Sequence, residues 1–290
     1  MYNFFVKSHG LGNEYIVLDS GQIAFDLTQD AIRKICNVHY GIGSDGILLK
    51  IPSDNADFGL RIFNPDGGEA EKSGNGLRIF AKYLYDYRHT DRLEFTIETL
   101  GGVVTARVIE EKLGKACKIR VDIGKANFIA REVPVLFDKQ ECFSEPLQVL
   151  DKTFSIHCVS VGNPHCVILC DEISEEVARK YGPLIEKHPM FPNRINVQFV
   201  RVISENEADI QIWERGAGYT LASGSSSSAV ASVLVRKGLV NPHVSIHMPG
   251  GILSLEVDKD WNIRLSGEVS EIAYGTLSDE LVGDAHDHLH

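Results

Sequence analysis

Ser73-Gly74-Asn75-Gly76-Leu77-Arg78-Ile79-Phe80-Ala81-Lys82-Tyr83-Leu84 is answered 150 residues later by Ser223-Gly224-Ser225-Ser226-Ser227-Ser228-Ala229-Val230-Ala231-Ser232-Val233-Leu234. Ser, Gly, Ala and Leu recur at the same places. Each copy opens on a Ser-Gly step, where a hydroxyl can cap the free N–H groups of a helix start. Each then runs on in largely apolar residues, which predicts helices over 74–86 and about 224–237. In both copies a strand and a polar turn lead into the Ser-Gly step. The chain therefore reads as two related halves of mixed strand and helix.

Outward from those helices, alternating segments predict strands over 4–7, 15–18, 60–63, 95–99, 103–109 and 118–122. The second half predicts them over 154–161, 166–170, 196–202, 209–213, 244–247, 252–257 and 263–265. Ile32, Ile35 and Cys36 at helical spacing after Thr28 predict a helix over 28–38, and a further helix is expected over 175–180. Ser53-Asp54-Asn55-Ala56-Asp57 reads as a loop, and Pro65-Asp66-Gly67-Gly68 as a turn. No sharp linker shows in charge or proline content. The boundary is set at 124–127, giving domains over 1–124 and 125–275, with the tail (about 276–290) expected to pack back on the first.

A length of 290 residues suits about two domains. With 43% hydrophobic and 24% charged residues, the composition is that of a soluble globular protein. Twenty-nine Lys+Arg against forty Asp+Glu leave a net charge of -11, which repels phosphate backbones and excludes nucleic acid as a partner. No apolar run approaches the roughly 18 residues of a membrane span, and Met1-Tyr2-Asn3-Phe4-Phe5-Val6-Lys7 lacks the pattern of a signal peptide. The expectation is a cytoplasmic protein. Six cysteines are too few and scattered for a disulfide framework, and none forms a Cys-x-x-Cys pair. His157-Cys158, His165-Cys166 and Cys170 come nearest to a metal cluster, but in apolar strands these thiols read as small core hydrophobes.

The chemistry starts at the Ser-Gly steps. A helix N-terminus offers free N–H groups and a positive dipole end, and so takes a carboxylate or phosphate without a basic side chain. Two such ends could hold one anion; taken singly, Ser73 and Ser223 are explained as ordinary caps. Six further stretches are dense in glycine and polar residues: His9-Gly10-Leu11-Gly12-Asn13, Gly41-Ile42-Gly43-Ser44-Asp45-Gly46, Phe63-Asn64-Pro65-Asp66-Gly67-Gly68-Glu69-Ala70-Glu71, Val161-Gly162-Asn163-Pro164-His165, Arg194-Ile195-Asn196-Val197 and Trp213-Glu214-Arg215-Gly216-Ala217-Gly218. Turn chemistry explains their glycines, but not the recurring Asn or the Glu-Arg pair. There is no Gly-x-Gly-x-x-Gly after a strand and no Gly-Lys-Ser/Thr loop, so no nucleotide or flavin cofactor is expected.

In order and over nearly the whole chain, from His9 to about Gly275, these stretches resemble the diaminopimelate epimerase family of cofactor-independent amino-acid epimerases. Ser73-Gly74-Asn75-Gly76 and Glu214-Arg215-Gly216 carry most of the specificity. The resemblance implies an α/β (α+β) fold of two pseudo-symmetric domains, each a mostly antiparallel sheet curled around a central helix. It implies catalysis without pyridoxal phosphate or metal, a small amino-acid substrate, lysine and cell-wall biosynthesis, and a homodimer by analogy. One group removes the Cα proton while another delivers a proton to the opposite face. The substrate α-carboxylate would sit on Gly74, Asn75, Gly224 and Ser225. Asn13, Asn64, Asn163, Asn196, Glu214 and Arg215 match substrate-holding positions, with Arg215 suited to the distal carboxylate.

The resemblance breaks at the bases. The family carries two cysteines where this chain has Ser73 and Ser223, and a hydroxyl is a far weaker acid than a thiol of pKa about 8.5. His165 is the auxiliary candidate for moving a proton. Tyr219 stands where the family usually has Glu, and Gly46 where many members have Gln. Two origins fit the serines: replacement of both bases to trap substrate, or a natural branch with Ser at both positions. Three functions follow: epimerisation of LL- to meso-diaminopimelate, racemisation of another amino acid in a pocket reshaped by Tyr219, or binding without catalysis. Cα-proton exchange in D2O separates them.

Overall fold

The computed structural model describes residues 2–283, which fall into two compact units. One takes the described residues up to Val121 and again from Gly267; the other is Asp122–Ser266.

In the first unit, β1 (Phe4–Gly10) and β2 (Asn13–Asp19) form an antiparallel hairpin. The Thr28 hydroxyl accepts the Ala31 N–H and starts α1 (Gln29–Cys36). This helix crosses to β3 (Ile47–Ile51), which lies parallel to β2. β4 (Phe58–Phe63) turns into the short β5 (Glu69–Ala70), and α2 (Gly74–Asp86) then crosses to β6 (Glu94–Thr99), parallel to β4. β7 (Gly102–Lys112) and β8 (Lys115–Lys125) follow antiparallel.

The second unit repeats the plan. β9 (Phe143–Val149) pairs with β10 (Lys152–Ser160), which forms a hairpin with β11 (Pro164–Leu169). α3 (Glu175–Glu186) crosses to β12 (Asn196–Ser204), parallel to β11. β13 (Glu207–Glu214) and β14 (Gly218–Thr220) lead into α4 (Gly224–Arg236). That helix crosses to β15 (His243–Met248), parallel to β13, and β16 (Gly251–Val257) and β17 (Asn262–Glu268) complete the run. The chain returns to the first unit as β18 (Ser270–Thr276) and α5 (Asp279–Val282).

The repeat holds to the residue. Ile16 lies opposite Ile47 and Ile47 opposite Phe63; Cys166 lies opposite Val197 and Val197 opposite Trp213. Each of those numbers is offset by 150 from its counterpart. α2 and α4 both have 13 residues and are buried nearly end to end, polar side chains such as Arg78 and Ser228 included. Each sheet is mostly antiparallel, with one parallel pair per crossover. Cys158 and Cys166 are core members of the second unit, as their apolar surroundings suggest, while Cys170 packs half-buried against that core, which also holds Cys142.

The sequence reading assigns 267–275 to the second half. Strand pairing puts it in the first, because β18 runs antiparallel to β1 from Phe4 opposite Thr276 to His9 opposite Ser270. β18 does for β1 what β9 does for β10. The tail does return to the first unit as far as it is described: Leu277 donates its N–H to Asn3 O at 2.9 Å, and Lys34 Nζ reaches Glu280 O at 3.0 Å. The rest of it, 284–290, lies outside the described residues. α3 also runs past the expected 175–180, through Gly182-Pro183 to Glu186. Gly182 is required there: a Cβ would lie 2.6 Å from the Trp213 ring.

Candidate active site

In the first unit the α2 start gathers four of the expected residues. Ser73 Oγ accepts the Gly76 N–H at 3.0 Å, and the Tyr15 hydroxyl lies 3.3 Å from it. Asn75, buried in the first turn with Gly74, donates Nδ2–H to Asn13 Oδ1 at 3.0 Å. Asn13 in turn donates to Asp45 Oδ2 at 2.8 Å. Behind them Arg78 donates to Asn75 Oδ1 at 2.7 Å and to Gly74 O at 3.3 Å. Asn64 stands in the turn after β4, its N–H bonded to Gly68 O at 2.8 Å, with its side chain exposed and tied to none of the four. Gly46 has no room for the Gln that the family resemblance suggests: a Cβ would sit 2.4 Å from Phe63 O and 2.8 Å from the Tyr15 ring.

In the second unit Ser223 caps α4, accepting the Ser226 N–H at 3.3 Å, with Ser225 Oγ at 3.4 Å. Asn163 reaches Ser225 Oγ at 3.5 Å. His165 is fully buried, with Nε2 2.9 Å from Asn163 Oδ1 and Nδ1 3.0 Å from Gln198 Nε2. An amide nitrogen only donates, so Nδ1 accepts and the ring proton sits on Nε2. Burial pushes the His165 pKa down to about 3, the Gln198 bond opposing and the Arg215 charge adding to the fall. Both nitrogens are committed and the ring is neutral. His165 holds Asn163; it is not placed as a base.

Asn196 opens β12, donating to Pro164 O at 2.8 Å and accepting the Arg215 N–H at 2.9 Å. It thereby pins the turn after β13. Arg215 is exposed, and its guanidinium touches Asn193 O at 3.1 Å. Burial pushes the Glu214 carboxyl up, with the Ser223 and Thr220 hydroxyls beside it pulling the other way. Tyr219 turns to the α3 side: its hydroxyl donates to Gln211 at 2.7 Å and the Arg179 guanidinium lies 4.6 Å over its ring.

The two starts correspond at the offset of 150. Asn13 bonds Asn75, and Asn163 bonds Ser225. Arg78 donates to Gly74 O, and Ser228 donates to Gly224 O at 2.8 Å. Sequence reasoning left out Asp45, Arg78, Gln198 and Glu186, the last buried on α3 and accepting Trp213 Nε1–H at 2.8 Å and Gly216 N–H at 3.1 Å. The signal for Arg78 lay in the repeat itself, as a charged residue where the second copy has Ser228. Among the described residues, no three His, Cys, Asp or Glu side chains gather as a metal ion would need, and no helix is long and apolar enough to cross a membrane.

The family model for diaminopimelate epimerase matches residues 5–129 and 157–271. Diaminopimelate epimerase 2 of Nostoc sp. is 47% identical over 96% of this chain and 96% of its own. Diaminopimelate epimerase of Methanococcus maripaludis is 39% identical over 94% of this chain and 99% of its own. Among solved structures, a hydroxyproline epimerase from Agrobacterium vitis shares the fold at TM-score 0.69 and 14% identity, over 94% of this chain and 90% of that one. Methylitaconate-delta-isomerase shares it at TM-score 0.67, also at 14% identity, over 100% of this chain and 99% of that one. With both halves of the repeat inside the matched residues, the chain belongs to the diaminopimelate epimerase family.

Proposed function

We propose that this chain is an isomerase of diaminopimelate, interconverting the LL and meso forms, in which two hydroxyls stand at the proton-transfer positions. The observation that carries the reading is the pair of Ser-capped helix starts, each with an Asn bonded to the second residue of its helix. Free N–H groups at such starts suit a carboxylate. Inverting a carbon needs one group to take the proton and another to return one to the opposite face, and the repeat supplies two equivalent positions. Asn196, through the Arg215 N–H, fixes the turn that carries the cation for the distal carboxylate. No step calls for pyridoxal phosphate. Tyr219, tied to Gln211 and Arg179, gives no support to a pocket reshaped for another amino acid.

A second reading, binding with little turnover, is favoured by one observation. Each Ser hydroxyl already accepts a helix N–H, at 3.0 Å for Ser73 and 3.3 Å for Ser223. One experiment decides between them: Cα-proton exchange of diaminopimelate in D2O by this chain and by Ser73→Cys/Ser223→Cys. Slow exchange in the first and fast exchange in the second is expected. Failure of both to bind diaminopimelate would remove the substrate assignment. The homodimer and a role in lysine biosynthesis rest on family membership alone; sedimentation at equilibrium and complementation of a lysine auxotroph test them.

A further inference from the structure

We propose that Arg78 is a positioning residue of the first half-site, orienting Asn75 and Asn13 and supplying the positive charge that a ligand carboxylate neutralises at the start of α2. The inference rests on the reading above for the identity of that ligand, not for the presence of an anion.

Arg78 is fully buried, and among the described residues no carboxylate pairs with its guanidinium. Its Nε–H has no partner. Burial pulls its pKa down to about 9, which leaves it charged at neutral pH. A buried charge without a counter-charge is costly, and the same helix shows the usual remedy: Lys82, one turn on, meets Asp86 at 2.7 Å and Ala116 O at 2.6 Å. Nor does the fold demand a cation at this place. Ser228 occupies the corresponding position of α4 and donates to the corresponding carbonyl. The backbone opposite is cut to fit, since a Cβ on Gly10 would lie 3.0 Å from the Arg78 Nη2.

The bonds run in one direction. A guanidinium only donates, so Asn75 must present Oδ1 to Arg78 and Nδ2 to Asn13. A carboxylate only accepts, so Asn13 must present Nδ2 to Asp45. Both amides are therefore locked between a fixed donor and a fixed acceptor. Each amide nitrogen keeps a second N–H to offer, beside the free N–H groups of the helix start. Donors around an uncompensated cation suit an anion.

The test compares the parent chain with Arg78→Met and Arg78→Lys, by thermal melting without ligand and by calorimetric titration with meso-diaminopimelate and with inorganic sulfate. Arg78→Met is expected to melt no lower than the parent, because an unpaired buried charge is removed, yet to bind both probes roughly thirtyfold more weakly. Arg78→Lys keeps the charge and loses the two-point hold, so it should recover most of the sulfate affinity and stay roughly tenfold weak for diaminopimelate. Unchanged affinity in both variants overturns the proposal, and so does a lower melting temperature with unchanged affinity in Arg78→Met. If Arg78→Met does not fold, Arg78→Lys decides alone: parent-like binding of diaminopimelate refutes the orienting role. A parent that binds sulfate but not diaminopimelate refutes the substrate and leaves Arg78 to be judged on sulfate. A parent that binds neither refutes both.

Discussion

Two hydroxyls, Ser73 and Ser223, cap the two repeated helices, at the positions where the family resemblance implies thiols. A helix dipole is worth up to about 2 kcal/mol, or about 1.5 pKa units, which cannot bring a hydroxyl to where a thiol starts. Proton transfer by a positioned group contributes roughly 10²–10⁴-fold, so the double change to Cys is expected to raise the epimerisation rate within that range. Either single change should speed exchange of the Cα proton with solvent while leaving inversion slow, since one thiol can remove and return a proton only on its own face. Following proton loss by NMR and inversion by chiral chromatography in one sample checks this. Equal rates of loss and inversion in a single variant would show that another group completes the transfer. Gly46 makes a second prediction at this scale. Gly46→Gln, the residue that the family resemblance suggests there, must push a Cβ into Phe63 O and the Tyr15 ring. A loss of about 1–3 kcal/mol is expected, read as a lower urea midpoint.

Among the elements, α3 and the hairpin β10–β11 hold the second half-site from behind. Glu186 at the end of α3 accepts from Trp213 Nε1 and the Gly216 N–H, on either side of Glu214-Arg215. Glu186→Gln leaves one of those donors facing an NH2 group. It should cost about 1.5–3 kcal/mol and speed hydrogen exchange at Gly216. Acid should act on the same unit. Burial holds His165 at about 3 and His157 at about 4, against 6.5 for the free side chain. Between those values the unfolded chain binds the protons, so the contribution of both is full above about pH 6.5 and is lost as pH falls towards 4. A denaturation series from pH 7 to 4.5 should show that slope, and His165→Gln should flatten it. Most of these elements were legible, because caps, glycines and alternation are local signals: Thr28, Ser73 and Ser223 each cap as expected. β9 and β18 were not. Pro146 within β9 argues against a strand, though β9 does pair with β10, and β18 shows no regular inward face. Asn13, Asn75 and Asn163, which bond at the two helix starts, could be picked out from their motifs. Asp45, Gln198 and Glu186 could not, because their roles come from contacts between elements distant in sequence.

At the scale of the molecule, the first unit borrows its last strand from beyond the second. A chain ending at Ser266 lacks β18 and the buried Leu277, so β1 keeps only β2 as a neighbour and presents an open edge. It is expected to aggregate and to lose amide protection over 4–10 while β10–β12 stay protected; gel filtration and hydrogen exchange report the two effects. During synthesis the same connection reverses the usual order, in which the domain made first folds first. The ribosome finishes every residue of the second unit before it makes the strand that closes the first. A nascent chain stalled short of Ser270 should therefore yield to protease in its oldest half, where a chaperone that guards exposed strand edges would have the most to do.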